Sequence, residues 1–221
     1  MANKKSAGFC ELSEVTAHKI VPVVVIDDAQ YADSLGEALI RGGLPVAEVT
    51  FRTSAASDAI RALANRQDIL VGAGTVLTPE RVEQATAAGA RFIVSPGLDR
   101  DVIERCQQIG IPCLPGVSTA TELMQALKFG LTTVKFFPAS AAGGAKTIKA
   151  LSSAFQQASF LPTGGISAEN AHEYLDLDCV RAIGGSWMVP SQLVNSGAVD
   201  QLVDLITHAV STVGNYRKER S

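Results

Sequence analysis

The sequence predicts an α/β chain closed into a single (β/α)8 TIM barrel, and three observations carry that expectation. Short apolar runs ending in Gly, Pro, Thr or Ser alternate with amphipathic stretches of helical length. The alternation recurs at roughly 22–24 residue intervals, the cadence of a parallel barrel. The strand candidates are almost continuously apolar, as strands buried on both faces are. An open doubly wound sheet shares the alternation, but the repeat number and the filled strands favour closure. A length of 221 residues fits one such domain.

Taken in order, a short helix candidate at 11–18 comes before the first strand, so 1–19 read as a helical extension and 20–215 as the barrel of one domain spanning 1–221. The strands are VPVVVI (21–26), AEVTF (47–51), ILVGAGT (69–75), RFIVSP (91–96), PCLPGV (112–117), TTVKFFP (132–138), SFLPTGG (159–165) and RAIGGSW (181–187). Helices are predicted over 29–42, 54–65, 79–89, 100–109, 120–129, 144–154, 167–175 and 198–213. Thr78-Pro79-Glu80 sets a capping threonine before a proline at the first helical position, and Ser167 is placed similarly before Ala168-Glu169. Gly42, Gly89 and Gly130 fall where helices should stop.

Composition narrows the function classes. With 47% hydrophobic and 19% charged residues and no long apolar run, the chain reads as a globular protein without a membrane span. A formal charge of −3 with no basic block argues against nucleic acid as a partner. The opening MANKKSAGFCELSEV carries lysines but no apolar segment after them, unlike a secretory signal. Cys10, Cys106, Cys113 and Cys179 lack metal or redox spacing and read as small apolar residues of a reducing cytoplasm. His18, His172 and His208 lie far apart with no i, i+4 pair, so a histidine-built metal site lacks support; no metal and no cofactor is expected.

The most informative stretch is LTTVKFFPAS at 131–140, where one lysine interrupts an apolar strand. Strand alternation puts Thr133, Lys135 and Phe137 on one face, with Val134 and Phe136 on the other. A buried ammonium is expensive unless paired or neutral, and a free amine is a good nucleophile toward carbonyl carbon. Alternatively, the head of Lys135 reaches solvent or joins a structural ion pair. In the second strand Glu48, Thr50 and Arg52 share a face. Glu48 could pair with Arg52 or Lys135, or shuttle protons beside a reactive lysine. Arg52 ends the strand with a fork matched to a carboxylate. Barrel active sites form at the C-terminal ends of strands, which adds Thr75, Ser95, Pro96, Thr163-Gly164-Gly165 and Gly184-Gly185-Ser186. The two glycine pairs follow strands seven and eight, where barrels commonly hold phosphate on backbone N–H groups.

Together these residues resemble the bacterial 2-keto-3-deoxy-6-phosphogluconate (KDPG) aldolases, which often also cleave 4-hydroxy-2-oxoglutarate (KHG). The matching segments are VPVVVI, EVTFRT, VGAGTVLTPE, VSPGL, PGVST, VKFFPA, PTGGI and IGGSWMVP, in order from about residue 20 to about 190. The resemblance implies a metal-independent class I aldolase, usually a homotrimer, acting on small 4-hydroxy-2-keto acids. By motif it implies Lys135 as the imine-forming lysine and Glu48 as the acid/base. Arg52 and Thr75 would hold the pyruvyl carboxylate, and Pro96 and Phe137 would wall its pocket. Thr163 would bear on substrate preference, while Gly164, Gly165, Gly185 and Ser186 would line the phosphate end. Phe51 departs from the more common leucine, at a position that alternation points away from the pocket. The 2-dehydro-3-deoxy-6-phosphogalactonate substrate stays open beside KDPG and KHG, as do a phosphosugar isomerase or decarboxylase and a silent ligand-binding barrel.

Overall fold

One apolar strand run breaks at a residue that cannot donate a ladder hydrogen bond, Pro115, and this divides the sheet. The computed structural model describes residues 10–218. Residues 1–9 of the expected N-terminal extension and 219–221 lie outside the described residues. Strands β1 (Ile20–Val24), β2 (Val46–Thr50), β3 (Leu70–Gly74), β4 (Ile93–Val94) and β5 (Cys113–Leu114) form a parallel sheet with β9 (Ile183–Gly185), in the order β5-β4-β3-β2-β1-β9. A second parallel sheet holds β6 (Gly116–Val117), β7 (Thr133–Phe136) and β8 (Ser159–Pro162), with β7 central. The fifth expected strand is thus split between β5 and β6 at Pro115, which has no N–H. Its carbonyl still accepts from Lys135 N at 2.9 Å, tying the two sheets together. On the other side β8 meets β9 through parallel bridges Phe160–Val180 and Thr163–Gly184. The result is an α/β fold around a curled parallel sheet.

Helices α2 (Ala32–Arg41), α3 (Ala56–Asn65), α4 (Pro79–Ala87), α5 (Arg100–Ile109), α6 (Ala120–Lys128), α7 (Gly144–Ala154) and α8 (Ala171–Leu175) follow their strands, and α10 (Val199–Lys218) packs against α2. Their buried faces carry Leu35 and Leu39, Ile60 and Leu63, Val102 and Ile103, the stripe expected of helices laid on a sheet. Thr78 accepts from Arg81 N at 3.3 Å, as its position before Pro79 predicts. Gly89 and Gly130 adopt positive φ just past α4 and α6.

Several boundaries differ for local reasons. Among its described residues the extension holds one helical turn, α1 (Leu12–Val15), closed by a capping box between Glu11 and Glu14. The predicted 29–42 helix opens as a 3-10 turn, Ala29–Tyr31, because Asp28 accepts from Gln30 N at 2.9 Å. Ser167 does not cap a helix: its hydroxyl binds the Glu169 carboxylate, and α8 starts at Ala171. A further turn, α9 (Ser191–Val194), follows Pro190. Among the described residues no helix is long and apolar enough to cross a membrane.

Candidate active site

Residues in register on parallel strands point the same way, so pairing sorts the inward face. Glu48 pairs with Val23 and Gly72, and Lys135 with Gly116 and Leu161. Both charged residues therefore enter the curled interior from different sheets. Lys135 is 4% exposed and Glu48 1%. Lys135 Nζ donates to Glu48 Oε1 at 3.1 Å. Of the two partners open to Glu48 from the sequence, the structure selects the lysine. Nor does Lys135 reach out to solvent.

Neighbouring residues make room for this pair. A side chain on Gly74 would fall on the Glu48 carboxylate, because Gly74 lies beside Thr50 and one pleat above Gly72. A side chain on Gly116, beside Lys135, would meet the Pro96 carbonyl. These two glycines let a carboxylate and the carbonyl of the turn after β4 approach where any Cβ would intrude. Thr50, buried between, donates its hydroxyl to Val24 O at 2.9 Å and so satisfies itself without drawing on the pair. The second oxygen of Glu48, Oε2, is buried with no hydrogen-bond partner among the described residues. An unpartnered buried carboxylate oxygen is costly, which marks it as an acceptor waiting for a donor.

The remaining expected residues surround the C-terminal ends of the strands. Phe137 sets its ring 5.3 Å from Lys135 Nζ, measured to the ring centroid. The ring also lies 3.4 Å from the place of a Gly164 Cβ, so it stands between the amine and the glycine turn. Pro96 is half-buried next to Ser95, whose hydroxyl donates to Gly97 O at 2.7 Å. Arg52 lies past the end of β2, exposed, with no ion-pair partner among the described residues. Thr75 follows β3 at φ 56°, a left-handed conformation rare for a β-branched residue. Phe51 lies beneath the Arg81 guanidinium at 5.1 Å, on α4 and away from Lys135, as alternation predicts.

Thr163 is buried with its Oγ1 unpartnered among the described residues. It occupies the space that a side chain on Gly184 would need. Gly164 and Gly165 both have positive φ (102° and 73°), so no side chain sits there without strain. Gly185 owes its missing side chain to Trp187, whose ring fills the place of its Cβ. Sequence spacing assigned that glycine to a ligand's approach and missed the tryptophan. Ser186 is exposed between them.

Other reactive groups point elsewhere. All four cysteines are free thiols, and burial pushes Cys10 up to about 11. Among the described residues no three His, Cys, Asp or Glu side chains cluster as a metal site needs.

Residues 12–205 match the family model for KDPG and KHG aldolase. The chain is 44% identical over 199 residues to the KHG/KDPG aldolase of Escherichia coli K12, covering 90% of this chain and 93% of that one. A KDPG aldolase from Legionella pneumophila, solved with pyruvate captured at low pH as a covalent carbinolamine intermediate, is 42% identical with a TM-score of 0.87, over 90% of this chain and 98% of that one. The 2-keto-3-deoxy-6-phosphogluconate aldolase of Zymomonas mobilis ZM4 with 3-phosphoglycerate is 37% identical with a TM-score of 0.85, over 91% and 97%. With its buried lysine–glutamate pair framed by these motifs, the chain belongs to the KDPG and KHG aldolase family.

Proposed function

We propose that this chain is a class I aldolase that reversibly cleaves 2-dehydro-3-deoxy-6-phosphogluconate to pyruvate and glyceraldehyde 3-phosphate, and 4-hydroxy-2-oxoglutarate to pyruvate and glyoxylate. The observation that carries the reading is the buried Lys135–Glu48 pair at 3.1 Å inside the curled sheet. Attack on a ketone requires the unprotonated amine, and Glu48 Oε1 is in place to take the proton from Nζ. Nζ then adds to C2 of the 2-keto acid, giving a carbinolamine. Glu48 returns that proton to the carbinolamine hydroxyl, which departs as water and leaves a protonated imine, with Glu48 again a carboxylate. Glu48, directly or through a water, accepts the C4 hydroxyl proton; the C3–C4 bond breaks, its electron pair passes into the imine, and the aldehyde departs. The enamine left behind takes a proton at C3 from Glu48, and hydrolysis returns pyruvate and the free lysine.

Supporting roles follow from position. Arg52 and Thr75, at adjacent strand ends, hold the substrate carboxylate, and the exposed guanidinium, without an ion-pair partner among the described residues, fits that work. Phe137 and Pro96 wall the pyruvyl part, and Thr163 faces the part of the substrate that differs between candidates. Gly164 and Gly165, with Gly185 and Ser186, present backbone N–H groups to the phosphate. Closure into a full (β/α)8 barrel is supported by the ladder bonds that join the two sheets at Pro115 and at Thr163–Gly184. A single domain over 1–221 is our reading of the continuous core. For the assembly, membership of this family suggests a homotrimer. A cytoplasmic location accords with the free thiols.

Pyruvate release from each substrate, coupled to NADH oxidation by lactate dehydrogenase, tests the activity. Turnover of about 1–10³ s⁻¹, unchanged by a chelator, is expected. No pyruvate from either substrate, or full loss with chelator, would overturn it.

Thr75 offers a second test. A β-branched residue held at positive φ costs on the order of 1–3 kcal/mol, which glycine would not incur. Glycine gives back roughly 0.5–1 kcal/mol through unfolded-chain entropy. Thr75→Gly is therefore expected to match or exceed the parent in urea stability while raising KM for pyruvate in methyl-proton exchange. A variant that loses stability yet keeps its KM would assign Thr75 to the fold alone.

A further inference from the structure

We infer that Trp187 is a positioning residue for the charged distal end of the substrate, holding the turn that follows β9 in place by packing on Gly185. The inference rests on the aldolase reading above. Two consecutive residues of β9 give up their side chains to others. The place of a Gly184 Cβ is occupied by Thr163 Oγ1, and that of a Gly185 Cβ by ring atoms Cζ3 and Cε3 of Trp187. Successive residues of a strand face opposite ways, so the strand end is gripped from both sides: by the threonine within the curled sheet and by the indole behind it. Ser186, the next residue, is exposed, and its carbonyl accepts from Val189 N at 3.0 Å to close the turn.

A buried indole usually finds an acceptor for its N–H. Trp187 Nε1 is buried with none among the described residues. Among the described residues no hydrogen bond orients the ring, so packing locates it, on Gly185 and on the hydrophobic core. The relation is reciprocal: the ring fixes how far the Gly185-Ser186 backbone can retreat from an incoming anion. Displacing a binding group by a fraction of its length is costly when remote contacts align reacting carbons. The proximal pocket around Lys135 lies on the inward face and does not share this contact. Trp187 should then matter for a substrate with a terminal phosphate and little for pyruvate alone.

Trp187 is the only tryptophan among the 221 residues, so its emission reports on this turn alone. Adding inorganic phosphate or glyceraldehyde 3-phosphate is expected to shift the emission of the parent protein, while pyruvate leaves it unchanged. Trp187→Phe, which keeps a ring for Gly185 and drops the N–H, should retain KM for the phosphorylated substrate within about twofold. Trp187→Ala should raise that KM by roughly tenfold or more. Its pyruvate methyl-proton exchange and circular dichroism should match the parent. Equal losses of exchange and cleavage in a folded Trp187→Ala protein would overturn the inference, leaving the ring a core element. A Trp187→Phe protein as impaired as Trp187→Ala would overturn the packing mechanism in favour of the N–H. An emission that ignores phosphate would also overturn it, even if the alanine variant does not fold. Absence of pyruvate exchange in the parent would instead count against the aldolase reading, which the phosphate titration does not depend on.

Discussion

Lys135→Met is expected to abolish aldol cleavage, by about 10⁴-fold or more, and with it all covalent trapping of pyruvate. Methionine keeps an unbranched stem in the same slot and removes only the nucleophile. Borohydride with pyruvate should inactivate the parent protein and add mass to the peptide carrying Lys135. Of the lysines with described side chains, Lys135 is the buried one. A surface lysine has no comparable pocket to hold a keto acid. The same substitution leaves Glu48, 1% exposed, without its counter-ion. Breaking a buried pair by removing one partner costs about 3–5 kcal/mol, because an uncompensated charge stays inside. Lys135→Met should thus lower urea stability, and the double change Lys135→Met with Glu48→Gln should recover part of it while remaining inactive. Peptide mapping, the coupled assay and urea melts read these three outcomes separately. Mass on a different lysine, with activity surviving in Lys135→Met, would sink the class I mechanism.

The inward faces were legible in the sequence because a strand's period is fixed. Thr133, Lys135 and Phe137 had to share one side, and so did Glu48, Thr50 and Arg52. Which of these faces meet was not legible. Glu48 and Lys135 are 87 residues apart and come from different sheets, so their contact depends on how far the sheet curls. Spacing alone left Arg52 as an equal partner for Glu48. Glycines were legible as places of close approach, but not what approaches. Gly74 makes room for the Glu48 carboxylate, Gly116 for the Pro96 carbonyl and Gly185 for an indole from two residues on. A missing side chain says that something fills the space, and only the fold says whether it is a ligand or the chain itself. Helix starts failed where side chains bonded one another: Ser167 and Glu169 satisfy each other, so α8 begins at Ala171, four residues after the expected start at 167. The four-residue α9 is too short to show any periodicity.

Glu48→Gln should separate imine formation from the steps that follow it. The amide has nearly the size of the carboxylate, and its oxygen can still accept from Lys135 Nζ, which reaches Oε1 at 3.1 Å in the parent. The other oxygen carries the difference. Oε2 is buried without a partner among the described residues, so it is free to accept a proton from substrate. An amide NH₂ in that place donates and cannot accept. Borohydride trapping of pyruvate on Lys135 is therefore expected to go to completion in Glu48→Gln, though more slowly, since the amide takes no proton from the attacking amine. Cleavage of 2-dehydro-3-deoxy-6-phosphogluconate and exchange of the pyruvate methyl protons should both fall by roughly 10²–10⁴-fold, the usual worth of a placed acid/base. The fall should appear in kcat with KM little changed, because the proton transfers are made after binding. A carboxylate serving only as counter-ion makes a different pattern: lower urea stability, with exchange close to parental in whatever fraction stays folded. Trapping, exchange and cleavage measured on one folded preparation distinguish the two, and near-parental exchange would leave Glu48 a structural partner of Lys135.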